Sequence, residues 1–348
     1  MDREAPSMMN GPGALPLSDI PPDQIRLLTK VARMYHERGM RQPQIAAQLH
    51  ISQPRVSRLL KRAAQLGIVR TTVVTPRGVH ADVEERLEQG YKLSEVVVVD
   101  TGDQADEPHV LPALGSAAAA YLETTLMGGE RTGVSSWSST LLAAVESMSP
   151  RPAADAGRVV QMLGGVGNVT AQAQATRITG RLAQLTGAAP VFLPAPGLLG
   201  SGSMRQVIVT DPNIESALAA CDDLTMALVG IGSLTPSPLL RDSGNAFADS
   251  ELPELRAAGA VGDVCLRFFD EHGRHLRTSL DERILGIAPG TLRRVPRRIG
   301  VAGGERKRTA IRAALLGGWV NVLITDYQTA LWLAAAIDTP DQPHIRYC

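Results

Sequence analysis

From residue 95 onward, short runs of β-branched and aliphatic residues alternate with Ala- and Leu-rich stretches. The runs are EVVVVD (95–100), RTGVS (131–135), RVVQML (158–163), APVFLP (189–194), LTMALVGIG (224–232), AVGDVC (260–265), RRIGVAG (297–303) and NVLITD (321–326). Helices are expected between them, at 110–126, 139–147, 172–187, 213–220, 305–316 and 327–337. Strands that are apolar on both faces cannot border water. They imply a mainly parallel sheet covered on both sides by helices, an α/β architecture. Aromatic residues make up only 3% of the chain, so this core rests on Leu, Val, Ile and Ala.

In such sheets ligands bind beyond the carboxyl ends of the strands, where loops open into helices. Four loops have that position: Gly133–Thr140, Gly164–Asn168, Gly230–Ser233 and Gly303–Lys307. Glycine lets the backbone approach a ligand, and free N–H groups at a helix start attract anions and hydroxyls. Lys307, in a first helical turn, adds a point charge suited to phosphate or carboxylate. None of the loops matches a nucleotide fingerprint, since GxxxxGK[ST] is absent and GGVGN lacks a well-placed ribose-binding acid. No cofactor is expected.

The formal net charge of zero conceals an asymmetry. Residues 22–80 carry eleven Lys/Arg against two acids, a net +9, whereas residues 81–348 carry 23 basic against 30 acidic residues, a net −7. A compact basic block on an acidic body suits a polyanion-binding module joined to something else. Within the block, a helix from Pro22 buries Ile25, Leu28, Val31, Ala32 and Tyr35 and ends at Gly39. A second follows at 42–49, and a third at 53–66 with Ser52 as its N-cap and Pro54 in its first turn. A short helix, a tight turn and a longer basic helix form a helix-turn-helix, whose third helix enters the major groove. With Val56, Leu59, Leu60 and Ala63 inward, Gln53, Arg55 and Arg58 are candidates for base contact. Ser52, Ser57, Lys61, Arg62 and Arg70 complete the expected interface, mostly on phosphates. Without zinc ligands or exposed aromatics, double-stranded DNA is the expected partner. IVRTTVV (68–74) predicts a short wing. Residues 80–92 predict a connecting helix whose stripe of Val83, Leu87 and Tyr91 suits either a partner chain or its own domain.

Three scattered cysteines (Cys221, Cys265, Cys348) form neither a disulfide framework nor a metal site, which fits a reducing cytosol. No stretch is apolar and long enough to span a membrane, so a cytoplasmic location is expected.

Three strings, ISQPRVSRLLKRAAQLGIV (51–69), GAVGDVCLRFFDEHG (259–273) and VAGGERKRTAIRAALLGGWVNVLITDYQTA (301–330), resemble the SorC-type sugar-binding transcriptional regulators, sometimes grouped with DeoR-like proteins. The likeness runs from about residue 22 to the end. It implies a winged-helix-like DNA reader on a Rossmann-like effector domain similar to phosphosugar isomerases and CoA transferases. It also implies homodimers or homotetramers, repression relieved by inducer, and a sugar, polyol or sugar-phosphate effector. Carried over by motif, the effector contacts are Ser135, Ser136, Ser138, Ser139 and Thr140, then Gly165, Gly167 and Asn168, with Asp263 on hydroxyls and Lys307 on an anionic end. The family often has Trp-Gly-Arg/Lys-Thr in the first loop. This chain has Trp137-Ser138-Ser139-Thr140, which removes a basic group there.

The expected organisation is a mobile tail (1–21), a DNA-binding domain (22–78), a linker helix (79–94) and an effector domain (95–348). The rival reading is an isomerase-like enzyme fused to a DNA-binding module. It needs a positioned general base, and neither paired carboxylates nor a Ser/His/Asp spacing selects one among Asp242, Asp263 and Asp326.

Overall fold

The computed structural model describes residues 20–69, 78–101, 107–150 and 157–338. The chain divides into two compact units at Val74–Thr75. The expected tail at 1–21, all but its last two residues, and the expected wing at 68–74 from Arg70 on lie outside the described residues.

The first unit is three helices: α1 (Pro22–His36), α2 (Gln42–Leu49) and α3 (Gln53–Gln65). Leu28, Val31, Ala32 and Met34 of α1 pack over Ile45 and Ala46 of α2 and Val56 and Ala63 of α3. Met34 takes the inward place expected for Tyr35, which is 39% exposed and lies edge-on to His36. Leu59 and Leu60 are only half-buried. α2 opens with the Gln44 carboxamide accepting from the Arg41 N–H at 2.9 Å. It closes on His50 in the left-handed region (φ 52°), its N–H returning to Ala46 and Ala47. Ser52 stands at the N-cap of α3 in extended conformation, but its hydroxyl makes no capping bond. Gly67 ends α3 at φ 70°, a conformation that glycine adopts without steric penalty.

The second unit is built on a seven-stranded, wholly parallel sheet. Its strands are β1 (Glu95–Val99), β2 (Arg131–Val134), β3 (Arg158–Gln161), β4 (Ala189–Val191), β5 (Met226–Gly230), β9 (Arg297–Val301) and β10 (Val322–Asp326), in spatial order β1-β10-β9-β5-β2-β3-β4. The alternation along each strand feeds two separate cores. Met226, Leu228, Ile299, Val322 and Ile324 face α5 (Glu107–Thr125), α6 (Ser139–Ser147) and α7 (Val169–Thr186). Ala227, Val229 and Leu323 face α4 (Ala81–Tyr91), α13 (Arg308–Leu316) and α14 (Tyr327–Asp338). α4 lies on its own unit, with Leu87 fully buried and Val83 and Tyr91 packed beside it. Its Glu84 and Glu88 carboxylates accept from the Val98 and Val96 N–H groups at 2.8 and 2.9 Å, which satisfies the outer edge of β1.

The run at 260–265 does not join the parallel sheet. It forms β7 (Gly262–Val264), which pairs antiparallel with β6 (Gly232–Ser233) and with β8 (Arg267–Phe269), a strand with no separate signal in the pattern. Four short helices also lie outside the expected set: α8 (Gly202–Ile208), α10 (Pro238–Asp242), α11 (Leu252–Ala257) and α12 (Pro289–Arg294). α9 (Pro212–Ala219) lies within the expected 213–220 stretch but for Pro212.

The small sheet is fastened by a buried ion pair. The Arg267 guanidinium, 5% exposed, donates to Asp281 Oδ1 at 2.8 Å and to the Asp281, Gly286 and Ile287 carbonyls. His275 Nε2 lies 2.9 Å from the same carboxylate oxygen. Burial alone would push Asp281 up, but the His275 hydrogen bond and the Arg267 charge outweigh it and hold the carboxyl below its usual value. A depressed folded-state value means the pair stabilises above about pH 4 and loses that contribution as acid titrates the carboxylate. Asp281→Ala leaves Arg267 without its counter-charge and is expected to cost about 3–5 kcal/mol in urea unfolding at neutral pH. Asp281→Asn is expected to flatten the fall in stability between about pH 5 and pH 3 relative to wild type.

Candidate DNA-reading face and effector cleft

On α3, burial of Val56 and Ala63 turns the opposite face outward. Ser52, Gln53, Arg55, Ser57, Arg58 and Lys61 are exposed, and Arg62 is half-buried. The Arg58 Nε reaches back to the Pro54 carbonyl at 3.4 Å, so its guanidinium lies along the first turn. Arg70 lies outside the described residues.

The strand order reverses between β2 and β5. From β2 the chain moves outward through β3 to β4, and from β5 it moves the other way through β9 to β10. Loops leaving a parallel sheet at such a point diverge and leave a crevice at the carboxyl edge. An open cleft lies there. Its walls are Ser135 and Trp137–Thr140 after β2, Gly230–Ser233 after β5, and Arg306 and Lys307 after β9. Asp263, Cys265 and Leu266 of the small sheet close one side, and Thr235–Ser237 another.

The first loop is held in place by its own inward residues. Ser136, fully buried, donates to the Leu163 carbonyl at 2.6 Å, and the Trp137 indole N–H donates to the Gly164 carbonyl at 3.0 Å. Gln161 donates to Ser136 Oγ at 3.1 Å. Ser138 caps α6, its Oγ accepting from the Leu141 N–H. The first-turn N–H groups of Ser139 and Thr140 have no intrahelical acceptor, and both residues line the cleft.

Of the expected effector residues, the structure brings Ser135, Ser138, Ser139, Thr140, Asp263 and Lys307 to one cleft. Ser136 lies behind the wall. Gly165, Gly167 and Asn168 stand elsewhere: Gly165 bridges to Pro196, Gly167 abuts the Ser243 carbonyl, and Asn168 caps α7 through the Thr170 N–H. From the β3 exit only Leu163 reaches the cleft. The spacing placed all four loops on one edge but could not show that the 164–168 loop is occupied by its own packing.

Among the described residues lining the cleft, Asp263 is the only carboxylate. Burial pushes its carboxyl up to about 6, against the pull of the Leu266 N–H on Oδ2 (2.9 Å) and the Lys307 charge. It sits so close to β6 that a Cβ at Gly232 would lie 2.0 Å from Oδ1. Cys265 and Leu266 form the two-residue turn between β7 and β8 with φ of 54° and 61°. This left-handed pair has the sense of twist a tight hairpin requires, but it is built from residues that disfavour it. Burial pushes the Cys265 thiol up to about 12 despite a hydrogen bond with Ser135, so it is a packed, protonated group. The turn carries no glycine or asparagine, and no sequence signal marks it. Arg306 was the other omission. It lines the cleft beside Lys307 and donates to Ser233 Oγ and the Thr235 carbonyl, both at 2.9 Å. Its adjacency to Lys307 was the available clue.

Gly232→Ala is expected to destabilise by about 1–3 kcal/mol through overpacking against Asp263. Gly200→Ala, where a Cβ meets nothing within 4 Å, is expected to stay near neutral in the same urea titration.

Residues 78–334 match the family described as "Putative sugar-binding domain", and residues 22–72 match a homeodomain-like domain family. The chain is 32% identical over 312 residues to the sorbitol operon regulator of Klebsiella pneumoniae, spanning 88% of this chain and 97% of that one. It is 33% identical over 307 residues to the deoxyribonucleoside regulator of Bacillus subtilis, spanning 88% and 96%. The crystal structure of the full-length Klebsiella regulator aligns with a TM-score of 0.66 at 30% identity, covering 90% of this chain and 99% of that one. The chain belongs to the SorC-type family of sugar-binding transcriptional regulators, in which a helix-turn-helix unit that binds DNA is joined to a sugar-binding domain.

Proposed function

We propose that a sugar, polyol or sugar phosphate binds in the cleft between β2 and β5 and controls DNA binding by α3, most simply as an inducer that relieves repression. The observation that carries this is the convergence of Asp263, Lys307 and the start of α6 at the point where the strand order reverses. Ionised Asp263 accepts hydroxyls, Lys307 offers a cation, and the Ser139 and Thr140 amides with their hydroxyls hold a polar or anionic end. The 164–168 loop is left out of this assignment. On α3, Gln53, Arg55 and Arg58 read bases, while Ser52, Ser57, Lys61 and Arg62 meet phosphates, with Arg70 the further phosphate contact proposed from sequence.

The cleft reads as a sensor rather than a site of turnover. Proton transfer needs a base oriented by a second group, and among the described residues lining the cleft the one carboxylate, Asp263, accepts from the Leu266 N–H and lies under the Lys307 charge, an arrangement that suits holding a hydroxyl. As a homodimer or homotetramer, the protein would respond by population shift: the ligand favours the assembly it binds more tightly, and the spacing of the DNA-reading helices follows.

A thermal-shift screen of hexitols, deoxyribose and their phosphates is expected to find a ligand that raises Tm and alters DNA retention. If no such compound shifts Tm, the sugar-sensing reading fails. Lys307→Ala is expected to weaken a phosphorylated hit roughly tenfold or more, with operator affinity unchanged. Arg55→Ala should do the converse, costing about 1–3 kcal/mol in operator binding with ligand affinity intact. Because Asp263 titrates at about 6, ligand affinity is expected to fall as pH drops through 6 and to level off above it. Asp263→Asn should be weaker and lack that pH dependence in calorimetry.

A further inference from the structure

The turn that carries Arg306 and Lys307 is tied to the start of α14. The Gly304 N–H donates to Asp326 Oδ2 at 2.7 Å and to Thr329 Oγ1 at 3.2 Å, and Asp326 Oδ1 accepts from the Thr329 N–H. Asp326 is fully buried. The fit is tight, since a Cβ at Gly303 would lie 2.2 Å from Asp326 Oδ2. The next residue, Tyr327, stacks on the His80 imidazole with ring centroids 4.1 Å apart and planes at 23°. His80 is the N-cap residue of α4, its carbonyl accepting from the Val83 and Glu84 N–H groups. Its Nε2 is buried without a hydrogen-bond partner among the described residues, which the capping role does not explain. His80 also stands where the polypeptide from the DNA-reading unit enters the sugar-binding one.

We propose that the His80–Tyr327 stack mechanically couples the 303–307 turn to the start of α4, and so passes the state of the cleft to the linker. It rests on the sugar-sensing reading only for the identity of what presses on the turn. The chain of contacts is short and rigid. A shift of the turn moves Asp326, Asp326 moves the first residue of α14, and a stacked ring transmits that movement to the cap of α4. Physical continuity alone does not establish coupling, so the test is a double-mutant cycle on the full chain that needs no ligand.

Gly303→Ala forces the turn away from Asp326, and amide exchange across residues 81–91 reports on α4. Gly303→Ala is expected to speed exchange in the first turn of α4 by about threefold or more, and His80→Ala to do likewise. The double variant should exchange no faster than the faster single one, because the second change acts through a link already cut. His80→Phe keeps a stacking ring and should still respond to Gly303→Ala. Should Gly303→Ala not fold, Asp326→Asn replaces it in the same cycle. Independent, multiplicative effects, or no response of α4 to the change in the turn, overturn the proposal. A flat cycle beside a clear Tm response to a sugar sinks the relay alone. An intact cycle with no sugar response sinks the sensing reading alone.

Discussion

Burial of both faces of the parallel sheet is the constraint on which the rest of the sugar-binding unit depends. Strands such as Met226–Gly230 and Val322–Asp326 have no polar face to offer water, so helices must cover them on each side. Right-handed crossovers then deliver every strand in the same direction, and every strand-to-helix loop opens at one edge. The cleft is a geometric result of that arrangement. Where the crossovers change direction, between β2 and β5, adjacent loops part and leave room for a ligand.

The parts of the fold that sequence made legible are those governed by local periodicity. All seven parallel strands were visible as β-branched runs, and the helix-turn-helix was visible through its spacing, its glycine stops and its charge. What escaped notice depends on tertiary context. Val264 and Phe269 lie in β7 and β8 of a separate sheet because β7 pairs with β6 just past β5 and Asp281 holds Arg267 of the same hairpin. A run of three residues cannot announce which sheet it joins. Met34 displaced Tyr35 from the first helix core because the phenol could stay partly wet while the thioether filled the gap.

The cleft followed the same division. Ser138, Thr140, Asp263 and Lys307, singled out by loop chemistry and resemblance together, come to line one cleft. The 164–168 loop carries three glycines, more than any of the other three loops, and its neighbours pack directly against it. Its Cβ-free positions let Pro196 and Ser243 pack against it, as the clashes at Gly164 and Gly167 show. Glycine permits close approach without saying whether a ligand or the protein's own backbone approaches. Only the three-dimensional neighbourhood separates the two cases.

The hairpin at Cys265–Leu266 has a consequence for how such a sensor can change over time. Two side chains held at positive φ are an unfavourable local choice, tolerated because the surrounding apolar packing over-determines it. At the opposite wall Ser138 caps α6 and Ser136 and Trp137 bear the packing of the loop, so half-buried Ser139 is the position that can be exchanged at least expense to folding. On the proposed assignment of the cleft, chemical preference can therefore drift on one bank of the crevice while the packed hairpin holds the other. New ligand repertoires would arise by editing hydroxyl positions around a fixed carboxylate.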